Sequence, residues 1–248
     1  MTTPCQASRI VVGATPVQSA DVVIDPGHGG SIEDGAVGPH GLKEKDLNLA
    51  VASYLATDLE RAGLRTVLTR VGDYPMTLES RARIVRGLRP KAFVSIHHNA
   101  EPEVSSTRPG TETYYQLASP ESKRLSGLIW EEVTRALAQY KLPWVARRDA
   151  GVKPRPGERG DDYYGVLRLT HGTPASLAEL AYITDPPEET ALARADVQQA
   201  EAAAVARATV RFLETRDQGS GYVEPVARTE PAGPGGTSSP ACVDPQLD

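Results

Sequence analysis

The apolar positions along the chain fall into two alternating kinds of run. Short β-branched or aromatic runs read as strands: "DVVID" at 21–25, "LRTVLTR" at 64–70, "KAFVSIHH" at 91–98, "TETYYQLA" at 111–118 and "ASLAELAYIT" at 175–184. Between them lie longer stretches whose apolar residues recur at helical spacing. The first, "LNLAVASYLATDLERAG", predicts a helix capped by Asp46 and ended by Gly63. Thr77 opens a second helix that runs to about Gly87. Ser119-Pro120-Glu121 supplies a capping hydroxyl, a proline at the first helical position and an acid in the first turn, and opens a third that runs to about Tyr140. Asp185-Pro186 opens the last helical region, which ends near Thr215. Strands alternating with helices predict an α/β fold with a mainly parallel sheet and helices on both faces. In such sheets ligands gather outside the carboxyl ends of the strands.

The same reading divides the chain into an irregular arm at 1–20, one domain at 21–217 and a tail at 218–248, whose Gly, Pro, Ser and Thr cannot build a core. The net charge of −5 excludes the basic stripe of a nucleic-acid binder. No run reaches the roughly 18 apolar residues of a membrane span. The N-terminal residues lack a basic-then-apolar signal pattern, which leaves a cytoplasmic chain or an exported one whose leader has been removed. Cys5 and Cys242 lie near opposite ends without CxxC spacing, so a cysteine metal site is not expected. They are either two separate thiols or one disulfide tying down both tails, as would suit an exported protein.

The polar residues then raise a question about "VVIDPGHGG", where His28 stands among glycines just past the first strand. One reading is a turn, in which Pro26 and the glycines set the backbone. The other is a site, in which the glycines clear room for a metal or substrate beside His28. Of the chain's 5 histidines, His28, His97 and His98 all fall at strand ends. Glu179 falls in the strand "ASLAEL", and Glu44 precedes the first long helix on the same side of the sheet as the His28 loop. Two imidazoles and a carboxylate are a common catalytic zinc set, with water in the fourth position and a further carboxylate as general base. Neutral imidazoles are required, so metal binding would fail at acid pH. Glu44 between two lysines also reads as a solvated residue, and a His-His pair as a polar rim. Glu179 is harder to dismiss, because a buried carboxylate costs several kcal/mol unless it is paired, protonated or linked to a metal. Strand alternation sends His97 and His98 to opposite faces, so one of them faces a metal.

Taken in order, "VVIDPGHGG", "GLKEKDLNLA", "LTR", "FVSIHHNA", "GTETYY" and "LAELAYITD" resemble the zinc-dependent N-acetylmuramoyl-L-alanine amidases of the amidase-3 group, over most of residues 21–215. The resemblance implies a single α/β domain with a six-stranded, mostly parallel sheet. It implies one zinc ion per chain held by His28, Glu44 and His97, with Glu179 as the catalytic acid/base. The implied reaction is hydrolysis of the amide between the lactyl group of N-acetylmuramic acid and the L-alanine of the stem peptide. Peptidoglycan or a muropeptide is then the partner of a monomer that acts in the periplasm or cell wall. Two departures stand out: His98 occupies a place where the family has a small residue, and "AYITD" follows Glu179 in place of the family's GF-S-N.

Three further readings complete the picture. Arg81 stands where the family often has arginine and reads otherwise as a helix-surface cation. Residues 144–165, rich in Arg, Gly and Pro, predict a long loop or hairpin that is either a lid over the groove or a solvated loop. Asn99 and, in that loop, Arg147 and Arg148 are candidate substrate contacts, with Arg155 and Arg159 as further cations for acidic stem-peptide groups. The rival functions are a zinc peptidase or carboxypeptidase on the stem, a non-catalytic wall-binding module, and a cytoplasmic α/β domain without metal.

Overall fold

The structure, a computed structural model, describes residues 4–5 and 17–225. Cys242, with which one of the two readings pairs Cys5, lies outside the described residues, as do most of the expected arm and the tail beyond 225. Strands β1 (Val22–Pro26), β2 (Thr66–Leu68), β3 (Ala92–Asn99), β5 (Glu112–Tyr115), β7 (Val152–Lys153) and β8 (Ala175–Tyr182) form one sheet in the order β2-β1-β3-β8-β5-β7. The first four of that order run parallel; β5 joins β8 antiparallel. Two short strands, β4 (Val104–Ser105) and β6 (Val145–Ala146), make a separate antiparallel ribbon. The helices are α1 (Glu44–Arg61), α2 (Leu78–Leu88), α3 (Pro120–Leu137), α4 (Gly165–Leu169), α5 (Pro186–Leu192) and α6 (Ala195–Glu214). None of the described helices is long and apolar enough to cross a membrane.

Strand alternation sorts the core into two layers. Val22, Ile24, Val94, Ile96, Ala178 and Leu180 face one side, against Leu47, Val51, Leu55 and Leu59 of α1 and the apolar stripes of α3 and α6. Val23, Phe93, Tyr114, Ala175 and Leu177 face the other, against Val85 of α2 and Val166 and Leu167 of α4. Helices therefore cover both faces, as the sequence predicts. Further along each strand the second face turns polar: Asp25 follows Val23, Ser95 and His97 follow Phe93, and Glu179 follows Leu177. The apolar half anchors the sheet and the polar half meets at one end of it.

Three helix starts agree with the sequence. Thr77 Oγ1 accepts from Ser80 N at 3.1 Å, Ser119 Oγ from Ser122 N at 3.1 Å, and Asp185 Oδ2 from Glu188 N at 3.3 Å. The first start differs. Asp46 lies inside α1, which begins at Glu44 after Lys43. Its first N–H groups are satisfied by the chain ahead of it: Glu44 N donates to Ala36 O at 2.9 Å and Lys45 N to Asp34 O at 3.0 Å. A tertiary contact has replaced a side-chain cap and moved Glu44 into the helix. The last helical region breaks into α5 and α6 at Ala193–Arg194, and α4 was not foreseen.

Residues 144–165 carry two short strands, and an antiparallel bridge between Pro156 and Asp162 forms the hairpin the sequence allows. Val145–Ala146 pairs with β4, and Val152–Lys153 is a buried strand of the main sheet. Val152 also bridges to Tyr222: Val152 N donates to Gly221 O at 2.8 Å and Val223 N to Val152 O at 3.0 Å. The start of the expected tail is thus laid along the sheet edge. Its fit needs glycine, because a Cβ at Gly221 would enter the Trp130 ring.

Arg81 is 3% exposed and is not a surface cation. Its Nη1 donates to Asp25 Oδ1 at 2.5 Å and to Pro26 O at 2.8 Å, and its Nη2 to His28 O at 2.7 Å. Thr69 Oγ1 and Ser95 Oγ also donate to the Asp25 carboxylate, at 2.5 and 2.8 Å. Burial opposes charge on Asp25, yet the guanidinium and the two hydroxyls outweigh it and hold the carboxyl below its usual range. Arg81→Leu would strand this buried carboxylate and should lower unfolding free energy by about 3–5 kcal/mol in urea titrations. A depressed folded-state pKa contributes stability above the unfolded value near 3.8, and that stability is lost as pH falls. The urea midpoint should therefore drop below about pH 4 in the native chain and drop less in Asp25→Asn, where the acid is absent.

Candidate metal centre and active site

His28, Glu44 and His97 offer three ligand atoms that all lie within 4.8 Å of one another. Each arrives by a different route. His28 follows β1 in a left-handed backbone conformation, φ 62°, a strained state for a side chain of this size. Arg81 supports that loop from below. His97 sits near the end of β3 on the polar half of its face. Glu44 is the first residue of α1 and reaches across the sheet end, 4% exposed. Its Oε1 lies 3.2 Å from His28 Nε2 and 3.0 Å from His97 Nδ1, and its Oε2 accepts from Ala36 N at 2.8 Å.

The glycines around the site leave it room. A Cβ at Gly27 would fall inside the His97 ring, and one at Gly35 would come within 2.6 Å of Glu44 Oε2 and 2.7 Å of His28 Cδ2. Both readings of "DPGHGG" have support: Gly29 and Gly30 take positive φ, as a turn requires, and Gly27 leaves room for the His97 ring. His28 Nδ1 lies 3.3 Å from Glu33 Oε1, which leaves Nε2 facing Glu44. A carboxylate behind a ligating imidazole is a recurrent way to fix its ring.

The charges are strongly coupled. Burial resists ionisation of Glu44, but the two histidines outweigh it and hold its carboxyl well below the ordinary range. Burial likewise opposes charge on His28, and contact with Glu33 and Glu44 raises it to about 10. His97 is lowered by burial, against the pull of Glu44. Two imidazoles and a buried carboxylate, crowded by glycine backbone, fit a divalent cation such as zinc.

Glu179 stands beside this cluster. On β8 it is level with His97 of β3 and with Glu112 of β5. Its Oε2 is buried and has no hydrogen-bond partner among the described residues. Burial first, then the charges of Glu44 and Glu112, push its carboxyl well above the ordinary range. Glu112 is the opposite case. Its Oε1 accepts from Tyr182 OH at 2.7 Å and Asn99 Nδ2 at 3.1 Å, and Lys153 Nζ lies 2.8 Å from its Oε2, which also meets Tyr114 OH. One acid is fully engaged and its neighbour is left with a bare oxygen.

The other expected residues separate. His98 is buried on the opposite face from His97, as alternation requires, and is not in the cluster. Asn99 joins the Glu112 network. Arg147 Nη2 donates to Ala100 O at 3.3 Å, and its charge acts on Glu179. Arg148 is exposed, with its N–H on Glu103 Oε2 at 3.1 Å. Glu33, Glu112 and the Asp25–Arg81 pair were missed. For Glu112 the signal was available, since an acid inside "TETYY" is as anomalous as Glu179 inside "SLAELAY".

Comparison with known proteins agrees with this geometry. The family model for N-acetylmuramoyl-L-alanine amidase matches residues 22–211. The chain is 36% identical to the YqiI protein of Bacillus subtilis over 194 residues, 77% of this chain and 84% of that one. It is 33% identical to the N-acetylmuramoyl-L-alanine amidase LytC of the same organism over 199 residues, covering 79% of this chain and 36% of LytC. Its fold matches the solved structure of N-acetylmuramoyl-L-alanine amidase AmiC2 of Nostoc punctiforme with a TM-score of 0.65 and 31% identity, over 78% of this chain and 96% of that one. Sequence, sheet order and the polar cluster at the sheet end lead to one assignment: the chain belongs to the amidase-3 family of N-acetylmuramoyl-L-alanine amidases.

Proposed function

We propose that this chain is a zinc-dependent enzyme that hydrolyses the amide between the lactyl group of N-acetylmuramic acid and the L-alanine of the stem peptide. His28, Glu44 and His97 hold one zinc ion, and Glu179 moves the proton. The observation that carries this reading is the bare, buried Oε2 of Glu179 on the strand beside His97. Such an orphaned acceptor costs stability and is retained where chemistry needs it.

Zinc in a set of this kind supplies Lewis acidity, polarising the scissile carbonyl and making a water nucleophilic near neutral pH. The chain's residues do the rest. Glu179 Oε2 takes the proton of the attacking water and delivers it to the departing alanine nitrogen. Burial first, then the charges of Glu44 and Glu112, push the Glu179 carboxyl above the ordinary range, which suits a group that must hold a proton for the leaving nitrogen. Arg81 holds the His28 loop through Pro26 O and His28 O. Asn99 and Arg147 are the candidate substrate contacts, supported by the Asn99 bond to Glu112 beside Glu179 and by the action of the Arg147 charge on Glu179. Arg148 is a third candidate. Such a substrate sets the place of action outside the cytoplasmic membrane, in the periplasm or cell wall.

Purified protein should carry about one zinc per chain, and His28→Ala should lose it; metal analysis reads both. Glu179→Gln should keep zinc and lose about 10²–10⁴-fold in turnover of a muramoyl-peptide. Mass analysis of the products must show the free lactyl carboxylate and an intact peptide with L-alanine at its N-terminus. Cleavage within the peptide would replace this reading with a peptidase.

A further inference from the structure

The apolar layer between the sheet and helices α1 and α6 contains three polar side chains that the chemistry above does not use. His98 of β3 is 2% exposed and Glu201 of α6 is 0% exposed, and between His98 and the metal cluster lies Asn48 of α1, also fully buried. Buried polar groups in such a layer are costly, and apolar residues of similar volume would pack it as well or better. Packing alone does not explain them.

Their hydrogen bonds form a chain. Glu201 Oε2 lies 3.4 Å from His98 Nε2, and His98 Nδ1 lies 2.8 Å from Asn48 Oδ1. Asn48 Nδ2 donates to Glu44 Oε1 at 3.3 Å and to Gly27 O at 3.3 Å. Glu44 and Asn48 are four residues apart on α1 and so share one side of the helix. The chain has a direction. Glu44 Oε1 and Gly27 O are both acceptors, so only the amide NH₂ of Asn48 can face them. Its Oδ1 must then face His98, and Nδ1 there must carry a proton. With an acceptor at position 98 the Asn48 amide would face acceptors at both ends, and with an apolar group there its buried Oδ1 would lose its partner. The Nδ1–H of His98 thus anchors the far end of the amide whose NH₂ meets the Glu44 carboxylate. The backbone N–H of His98 reinforces the effect by donating to Glu44 Oε1 at 3.2 Å.

We propose that His98, backed by Glu201, is a positioning residue that locks the Asn48 amide and so fixes the Glu44 carboxylate and the Gly27 backbone for metal binding. The inference rests on the zinc reading above and adds the residues behind Glu44 to it. His98 touches neither metal nor substrate and acts through Asn48.

The test compares zinc affinity, by chelator competition, in the native chain, in His98→Leu/Glu201→Leu and in His98→Asn, with thermal midpoints measured alongside. The double variant removes both ends of the buried His–Glu contact, which avoids leaving either one stranded. It should fold while binding zinc about 10- to 100-fold more weakly, the usual size of such supporting contacts. His98→Asn places an amide donor about where Nδ1 stands and should bind within about threefold of the native chain. Native-like affinity in the double variant would overturn the proposal, as would a loss in His98→Asn as large as in the double variant. Long-range ¹H–¹⁵N spectra of the native, zinc-free chain give an answer that needs no variant: His98 must be protonated at Nδ1, and a bare Nδ1 overturns the lock. A native chain that binds no zinc overturns the zinc reading and this inference together, whereas native zinc binding unaffected by the double variant removes the lock alone.

Discussion

The site depends on a buried charge that has to be neutralised in place. Asp25 lies in a sheet interior that tolerates no unpaired carboxylate, and Arg81 pairs with it directly. To reach it, α2 must pack under the end of β1. The same guanidinium then has donors left over, and they go to Pro26 O and His28 O. A pair required for stability thereby becomes the support of a loop required for chemistry. Thr69 and Ser95 add β3 and the chain after β2 to the same carboxylate. Four segments of the sheet end are registered against one another before any substrate arrives.

On that base the two acids Glu112 and Glu179 divide into different states. They are level on adjacent antiparallel strands, and both are in low-dielectric surroundings. Glu112 has tyrosine hydroxyls, an amide and a lysine around it. Glu179 has the negative field of that neighbour and no donor on Oε2, and it holds a proton more readily. Environment assigns the roles of two chemically equivalent groups.

Much of this was legible in the sequence for a definite reason. Strand and helix periods are local, and so are the caps at Thr77, Ser119 and Asp185. The order of the motifs carried the family; alternation put His97 and His98 on opposite faces, and the resemblance chose between them. What was not legible depends on partners distant in sequence. Arg81 reads as a surface residue until Asp25, 56 positions away, is brought beneath it. Asp46 reads as a cap until the 34–36 segment satisfies the helix start from outside. The segment 144–165 has loop composition because its strands are two residues long, too short to show any period. Glu112 was legible and passed over: an acid in a β-branched strand is informative wherever it occurs.

The sheet's two margins carry a separate consequence. At one margin β2 is only three residues long. At the other, the backbone of Gly221–Val223 occupies β7's outward hydrogen-bonding groups. Neither margin offers a long open ladder to a second chain, so the fold resists the edge-to-edge pairing that begins aggregation. Shortening the chain before Tyr222 would expose backbone of β7 that Gly221–Val223 keeps covered.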